Sequence, residues 1–364
     1  MTAETIQRPL RKEKEIEFFK PTLSREDLKG VLECLVEEHL ACGEIVARFE
    51  KSFCHTFKSK YSISTNSLAS AYHLALLSLG VKPGDRILLS SFAPIAALDA
   101  IFLVQAKPVL VDLKRNSFHP DPEEFLRKKN ESEARFAFFD HSFGSLVSIA
   151  NYNTEGLEVV EDFTEAIGAN SDTIACGRQT KVAICGLSAE NMITTGNGAM
   201  IVTNDSNIAN TIKSWKAGHS SKRTFGEAKY DYNLVDYQAA LGIEQLSKLG
   251  VILERKKKIA MAYMQAVQNS RLETYFQNPN EDTFQRFPIL VSSQNSDEIQ
   301  RYFKSIHIGI QKTTEEPLHR VLEENHLEYP NAERLYQRGH CIPIYPNLTK
   351  DNVQRIATAI RRIY

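Results

Sequence analysis

Residues 187–203 read Leu187-Ser188-Ala189-Glu190-Asn191-Met192-Ile193-Thr194-Thr195-Gly196-Asn197-Gly198-Ala199-Met200-Ile201-Val202-Thr203. Small and hydroxyl residues crowd the first part, and an apolar run follows. Gly196 and Gly198 permit backbone angles that other residues resist. Ala199 to Thr203 is short, apolar and partly β-branched, so it is expected to be a strand. Taken alone, the stretch is also satisfied by a hairpin that carries no chemistry. Its surroundings give it more meaning.

Upstream, short apolar runs alternate with helical patterns. Strands are expected at Tyr61 to Thr65, Arg86 to Ser91, Pro108 to Asp112, Phe136 to Asp140, Leu157 to Glu161 and Val182 to Leu187. Helices are expected from Asn66-Ser67 to near Gly80, over Ile95 to Val104 and from Pro122. This alternation indicates an α/β sheet, mostly parallel. Ligands of such sheets sit beyond the carboxyl ends of the strands. Asn66, Ser91, His141 and Asp162 fall at those ends.

Before the sheet, Ser24 caps a helix running to Leu40, with Asp27 three residues on. Phe49, Phe53 and Phe57 form an aromatic stripe, read as core packing. The first 20 residues are expected to be loosely attached. After residue 205 the pattern changes to helices at 208–216 and 234–267, a strand at 286–291, a helix at 296–305, an extended run at 342–346 and a closing helix from Thr349. Two domains are expected, residues 1–250 and 251–364.

The 364 residues carry a formal net charge of −1, with 42% hydrophobic and 24% charged residues. No global field favours nucleic acid or an anionic membrane. The run Arg255-Lys256-Lys257-Lys258 is expected to be a solvated helix face. No apolar run has the length of a membrane span, and the first residues lack the apolar core of a signal peptide. The six cysteines form no C-x-x-C pair and no zinc spacing, so no metal site is expected and the thiols are read as reduced. A cytoplasmic protein is expected.

The polar groups at the strand ends suggest roles. Asn66 and Ser67, at a helix start, could present N–H groups and a hydroxyl to a phosphate, or simply cap the helix. Asp162 could pair with a protonated ring nitrogen or cap the next turn. Glu165 follows three residues on. His141 could stack on a ring, carry a proton or be a core histidine.

In this order, the segments resemble the DegT/StrS family of pyridoxal-phosphate-dependent sugar aminotransferases. Gly84-Asp85 resembles the start of its G-D-E-V-I segment, and Ala106-Lys107-Pro108-Val109 with Asp112 its A-K-P-V-F-V-D. His141-Ser142-Phe143-Gly144 resembles H-x-Y-G, and 161–169 resembles E-D-A-A-Q-A-x-G-A. Thr194-Thr195-Gly196-Asn197-Gly198-Ala199 resembles T-T-G-E-G-G, and Thr203-Asn204-Asp205 resembles T-N-D. Gly218-His219 and Gln238 to Gly242 match later landmarks.

The resemblance implies an α/β, aspartate-aminotransferase-like (fold type I) large domain with a mixed seven-stranded sheet, a smaller C-terminal α/β domain and a homodimer with shared sites. It implies that Asp162 holds the pyridine nitrogen protonated, that Asn66-Ser67 and a serine hold the phosphate, and that a lysine forms the Schiff base. Nucleotide-linked keto sugars are the implied ligands.

Several positions depart from that pattern. Counting back from Thr194-Thr195-Gly196 places the family lysine on Asn191, and no lysine lies between Lys181 and Lys213. An amide forms no imine. The phosphate-binding serine falls on Gly186, with Ser188 the nearest hydroxyl. The ring-stacking aromatic falls on Pro94, the phosphate-binding asparagine on Asp231, an arginine on Asn233 and the glutamine on Glu165. A carboxylate beside a phosphate is repulsive. Ordinary transamination is therefore expected to be lost. The alternatives are a pyridoxamine-phosphate keto-sugar dehydratase using His141 or His219 as base, a sugar-binding or scaffolding homodimer, or an aminotransferase whose lysine comes from elsewhere. Any pyridoxal or pyridoxamine phosphate would be held non-covalently.

Overall fold

The computed structural model describes residues 14–216, 229–291 and 296–363. Its larger sheet has seven strands: β1 (Tyr61–Thr65), β2 (Arg86–Ser90), β3 (Lys107–Val111), β4 (Phe136–Asp140), β5 (Glu158–Asp162), β6 (Val182–Gly186) and β7 (Ala199–Thr203). Their order is β1-β7-β6-β5-β4-β2-β3. Only β7 runs against its neighbours, so the sheet is mixed, as expected. β6 and β7 are buried along their full length, the pattern of a sheet covered on both faces.

Helices α2 (Glu44–Phe57), α3 (Leu68–Ser78), α4 (Ile95–Leu103), α5 (Pro122–Ser132) and α6 (Ser206–Lys216) pack on its strands, while α1 (Arg25–Val36) packs on α7 (Asp236–Ser247), and α8 (Leu249–Gln268) reaches the second sheet. Asp27 receives the Ser24 backbone N–H at 2.6 Å, closing the predicted cap, although α1 stops at Val36 rather than Leu40. The aromatic stripe on α2 is core: Phe49 and Phe53 are fully buried, with ring centroids 6.1 Å apart.

Four short strands, β8 (Leu272–Glu273), β9 (Phe287–Val291), β10 (Gln311–Lys312) and β11 (Gly339–Ile342), form a second sheet in the order β10-β11-β9-β8. The long helix expected over 234–267 is two helices, α7 and α8, divided at Lys248.

Two expectations fail. The start of the chain is not loose where it is described: Ile16 is 1% exposed and bridges Ile308, with Gly309 N–H donating to its carbonyl at 2.8 Å. The basic run on α8 is not a solvated face either. Lys256 is 4% exposed and lies on the stripe Leu249, Ile252, Lys256, Ile259, Tyr263 that packs inward, while Arg255 donates to the carbonyls of Pro346 and Leu348.

Candidate active site

The carboxyl ends of the parallel strands bring Asn66, Ser91, His141 and Asp162 to one edge of the sheet. Strand register decides which way the acids face. Asp140 of β4 is paired with Asp162 of β5, so these two share a face and Glu161 takes the other.

Asp162 is 2% exposed. Its Oδ2 accepts the Tyr72 hydroxyl at 2.7 Å and its Oδ1 accepts the Thr164 N–H at 2.8 Å. Burial pushes the Asp162 carboxyl up, while bonds from Thr164 and Tyr72 pull it down; the rise prevails. Asp140 beside it is pushed up to about 7 by burial, against the Ser142 hydroxyl that it accepts.

Asn191 sits in the turn between β6 and β7. Its N–H donates to Ser188 O at 3.0 Å, and Thr195 N–H donates to Leu187 O at 3.0 Å. Gly198, at φ +144°, is pressed so closely that a Cβ would stand 2.8 Å from Thr195 Oγ1. The Asn191 amide lies over Gly186, where a Cβ would meet its Nδ2 at 3.1 Å and Thr164 Cγ2 at 3.1 Å. Ser188, one turn away, is exposed.

At the start of α3 the donors of Asn66 are used internally. Asn66 N–H donates to Tyr232 O at 3.0 Å, and its side-chain amide reaches Asp231 O at 3.4 Å. Ser67 Oγ accepts Ser70 N–H at 3.1 Å. Asp231 is exposed and its Oδ1 accepts from Asn233. Pro94 is the residue before α4 and is half-buried.

His141 does not face this group. It is 1% exposed; Val147 N–H donates to Nδ1 at 3.0 Å, and Nε2 lies 3.1 Å from Glu161 Oε1. The Val147 bond fills one ring lone pair, so the ring proton sits on Nε2 and points at Glu161. That removes His141 as a base for a bound ligand. Its atoms, with those of Glu161 and Cys176, lie within 4.8 Å of one another, a spacing that suits a metal. Glu161, however, is already spent on His141, Gly177 N–H and Gln179, and the ring has no lone pair left. The cluster is a satisfied core network. His219, the other candidate base, lies outside the described residues.

Three residues missed by sequence reasoning complete the site. Arg286 forks onto Glu165, Nε to Oε1 at 2.7 Å and Nη2 to Oε2 at 3.2 Å, and stacks 4.5 Å over the Phe143 ring. Gln285 donates its side-chain amide to Glu190 O. Lys256 Nζ donates to Gln285 O at 2.9 Å, and burial pushes its pKa down to about 7. Lys256 and Asn191 line the same cleft. For Lys256 the missed signal was periodicity: it continues the inward stripe of α8.

A mixed seven-stranded sheet with its polar groups at the carboxyl ends of the parallel strands, followed by a smaller sheet, is the architecture of fold type I pyridoxal-phosphate aminotransferases. The sequence profile of the DegT/DnrJ/EryC1/StrS aminotransferase family matches residues 21–361. The chain belongs to that family. It is 25% identical to GDP-perosamine synthase of Escherichia coli O157:H7, over 96% of this chain and 99% of that protein. It is 25% identical to the spore coat polysaccharide biosynthesis protein SpsC of Bacillus subtilis, over 94% and 95%. A GDP-4-keto-6-deoxymannose-3-dehydratase, a histidine-to-asparagine variant solved with bound GDP-perosamine, superposes with a TM-score of 0.85 at 18% identity, over 95% of this chain and 100% of that one. Among the described residues no helix is long and apolar enough to cross a membrane.

Proposed function

We propose that this chain is a sugar-aminotransferase-like protein that binds a nucleotide-linked sugar as a homodimer without transaminating it. One observation carries the reading. Asn191 stands where family resemblance puts the Schiff-base lysine, and its amide fills the space above Gly186, where the phosphate-binding serine would project. An amide offers neither an imine-forming nitrogen nor a base.

The site as a whole does not fit a covalently held pyridoxal phosphate. Asp162 accepts one donor on each oxygen and keeps lone pairs for a ring N–H, so the misfit lies at Asn191 and Gly186. The Asn66 N–H is taken by the Tyr232 carbonyl, and its side-chain amide by the Asp231 backbone carbonyl. Similarity to GDP-perosamine synthase, and to a dehydratase variant solved with a nucleotide sugar, supports the ligand class.

A second reading keeps an enzyme, and Lys256 favours it: a buried amine, its pKa lowered to about 7, lines with Asn191 one narrow space of about 10 Å³. One experiment separates the two. Purified protein is mixed with pyridoxal phosphate, its absorbance recorded, and the mixture reduced with borohydride and digested. The binding-protein reading expects no aldimine band and no pyridoxyl-lysine. A pyridoxyl group on Lys256 overturns it in favour of a relocated lysine, and stable, saturable binding of added pyridoxamine phosphate, read from its absorbance, does so in favour of a dehydratase.

A further inference from the structure

A second cleft lies away from Asn191 and shares no lining residue with the cleft that holds it. It encloses about 170 Å³ between the 114–119 turn after β3 and the 275–282 segment before β9. Drug-sized sites run to roughly 300–1,000 Å³, so this one admits about a single ring.

Its chemistry is graded from floor to mouth. At the floor, Asp282 is 8% exposed; its Oδ1 accepts Leu146 N–H at 3.1 Å, and its buried Oδ2 makes no hydrogen bond of standard geometry, the Ser145 hydroxyl being the neighbouring donor that draws on the carboxylate. His119 Nδ1 is likewise buried and unpartnered, while its Nε2 lies 3.2 Å from Ser145 Oγ. Burial, with His141 nearby, pushes the His119 pKa down to about 3, so the ring is neutral. At the mouth, Lys114 and Arg115 are exposed. Asn278 adds a side-chain amide.

A buried polar atom with no partner costs about 1–3 kcal/mol, and Asp282 Oδ2 and His119 Nδ1 are two such atoms lining one cleft. A ligand with several hydroxyls satisfies both: O–H groups donate to Asp282 Oδ2 and, in the tautomer whose Nε2–H donates to Ser145 Oγ, to the lone pair left on His119 Nδ1. The same carboxylate repels an anion, so a phosphate must stay outside, where Lys114 and Arg115 meet it.

We infer that this cleft is a binding site for a sugar phosphate, with the sugar hydroxyls on Asp282 and His119 and the phosphate on Lys114 and Arg115. It stands independently of the reading given to Asn191 and needs no cofactor.

Calorimetric titration of the full chain with glucose 1-phosphate, glucose and inorganic phosphate tests it. The sugar phosphate binds saturably, and glucose or phosphate alone binds at least tenfold more weakly. Asp282→Asn keeps an acceptor for Leu146 N–H but turns the orphan acceptor into a donor, and weakens sugar phosphate at least tenfold. The double variant Lys114→Ala, Arg115→Ala changes only exposed side chains, so its folding is secure, and it loses at least tenfold as well. Absence of saturable sugar-phosphate binding overturns the proposal. So does binding that both variants leave unchanged, which places the ligand elsewhere, and so does phosphate binding as tightly as sugar phosphate.

Discussion

Tyr72 and Asp162, 90 positions apart in sequence, meet inside the protein with the phenol donating to the carboxylate at 2.7 Å. Both side chains are almost wholly removed from water, at 1% and 2% exposure. Tyr72→Phe deletes the donor and leaves Asp162 Oδ2 without one. The variant is expected to lose about 1–3 kcal/mol of stability, the cost of a buried unsatisfied acceptor. Urea denaturation at neutral pH reads this as a lower midpoint with an unchanged slope; an unchanged midpoint would show that the bond contributes nothing.

Restoring a lysine tests how far the site has moved. Asn191→Lys is expected to give no stable aldimine with pyridoxal phosphate. The new amine still lacks a serine at position 186, and the Asn66 N–H stays committed to the Tyr232 carbonyl. A yellow, borohydride-sensitive protein from this single change would mean that the surrounding residues still form a working cradle.

Lys256 gives a stability signature that depends on pH. Its folded pKa, about 7, lies below the ordinary 10.5. An unfolded lysine holds its proton over that interval and the folded one does not. The stability available above 10.5 is therefore lost as pH falls, and the penalty is complete below about 7. Lys256→Met keeps the shape and removes the charge. It is expected to raise the melting temperature relative to the parent at pH 6, with the gain shrinking by pH 10. A difference that stays flat with pH would refute the buried-amine account.

Arg286 and Glu165 join the second sheet to the turn after β5. Their side chains are 35% and 23% exposed, so solvent screens the pair and its loss should cost about 1–2 kcal/mol, below the roughly 3–5 of a fully buried pair. Arg286→Ala is expected to destabilise more than Glu165→Gln, because glutamine still accepts the Phe143 N–H that Glu165 takes. A double-mutant cycle yielding no coupling would remove this pair as a link between the two sheets.

The sheet was legible because its signals are local. Short apolar runs, turn residues and strand-end polar groups each lie within a few positions, and β4 and β7 fall at the bounds expected from them. The site was legible only as positions. That Tyr72 closes on Asp162, or that Arg286 answers the charge of Glu165 across 121 positions, depends on which segments meet after folding. His141 shows the limit from the other side: a histidine just past a strand end faces either side of the sheet, and here it faces Glu161. Lys256 was misjudged because its neighbours in sequence are charged, whereas its neighbours one helical turn away are apolar.

The bridge between Ile16 and Ile308 bears on the birth of the protein on the ribosome. A chain grows at about 5–20 residues per second, so Ile16 waits on the order of 15–60 seconds for its partner to be made. Through that interval an apolar side chain and an unpaired backbone edge are open to other nascent chains or to chaperones. Slow translation should therefore favour misassembly, and a separately supplied N-terminal peptide should compete for the same edge.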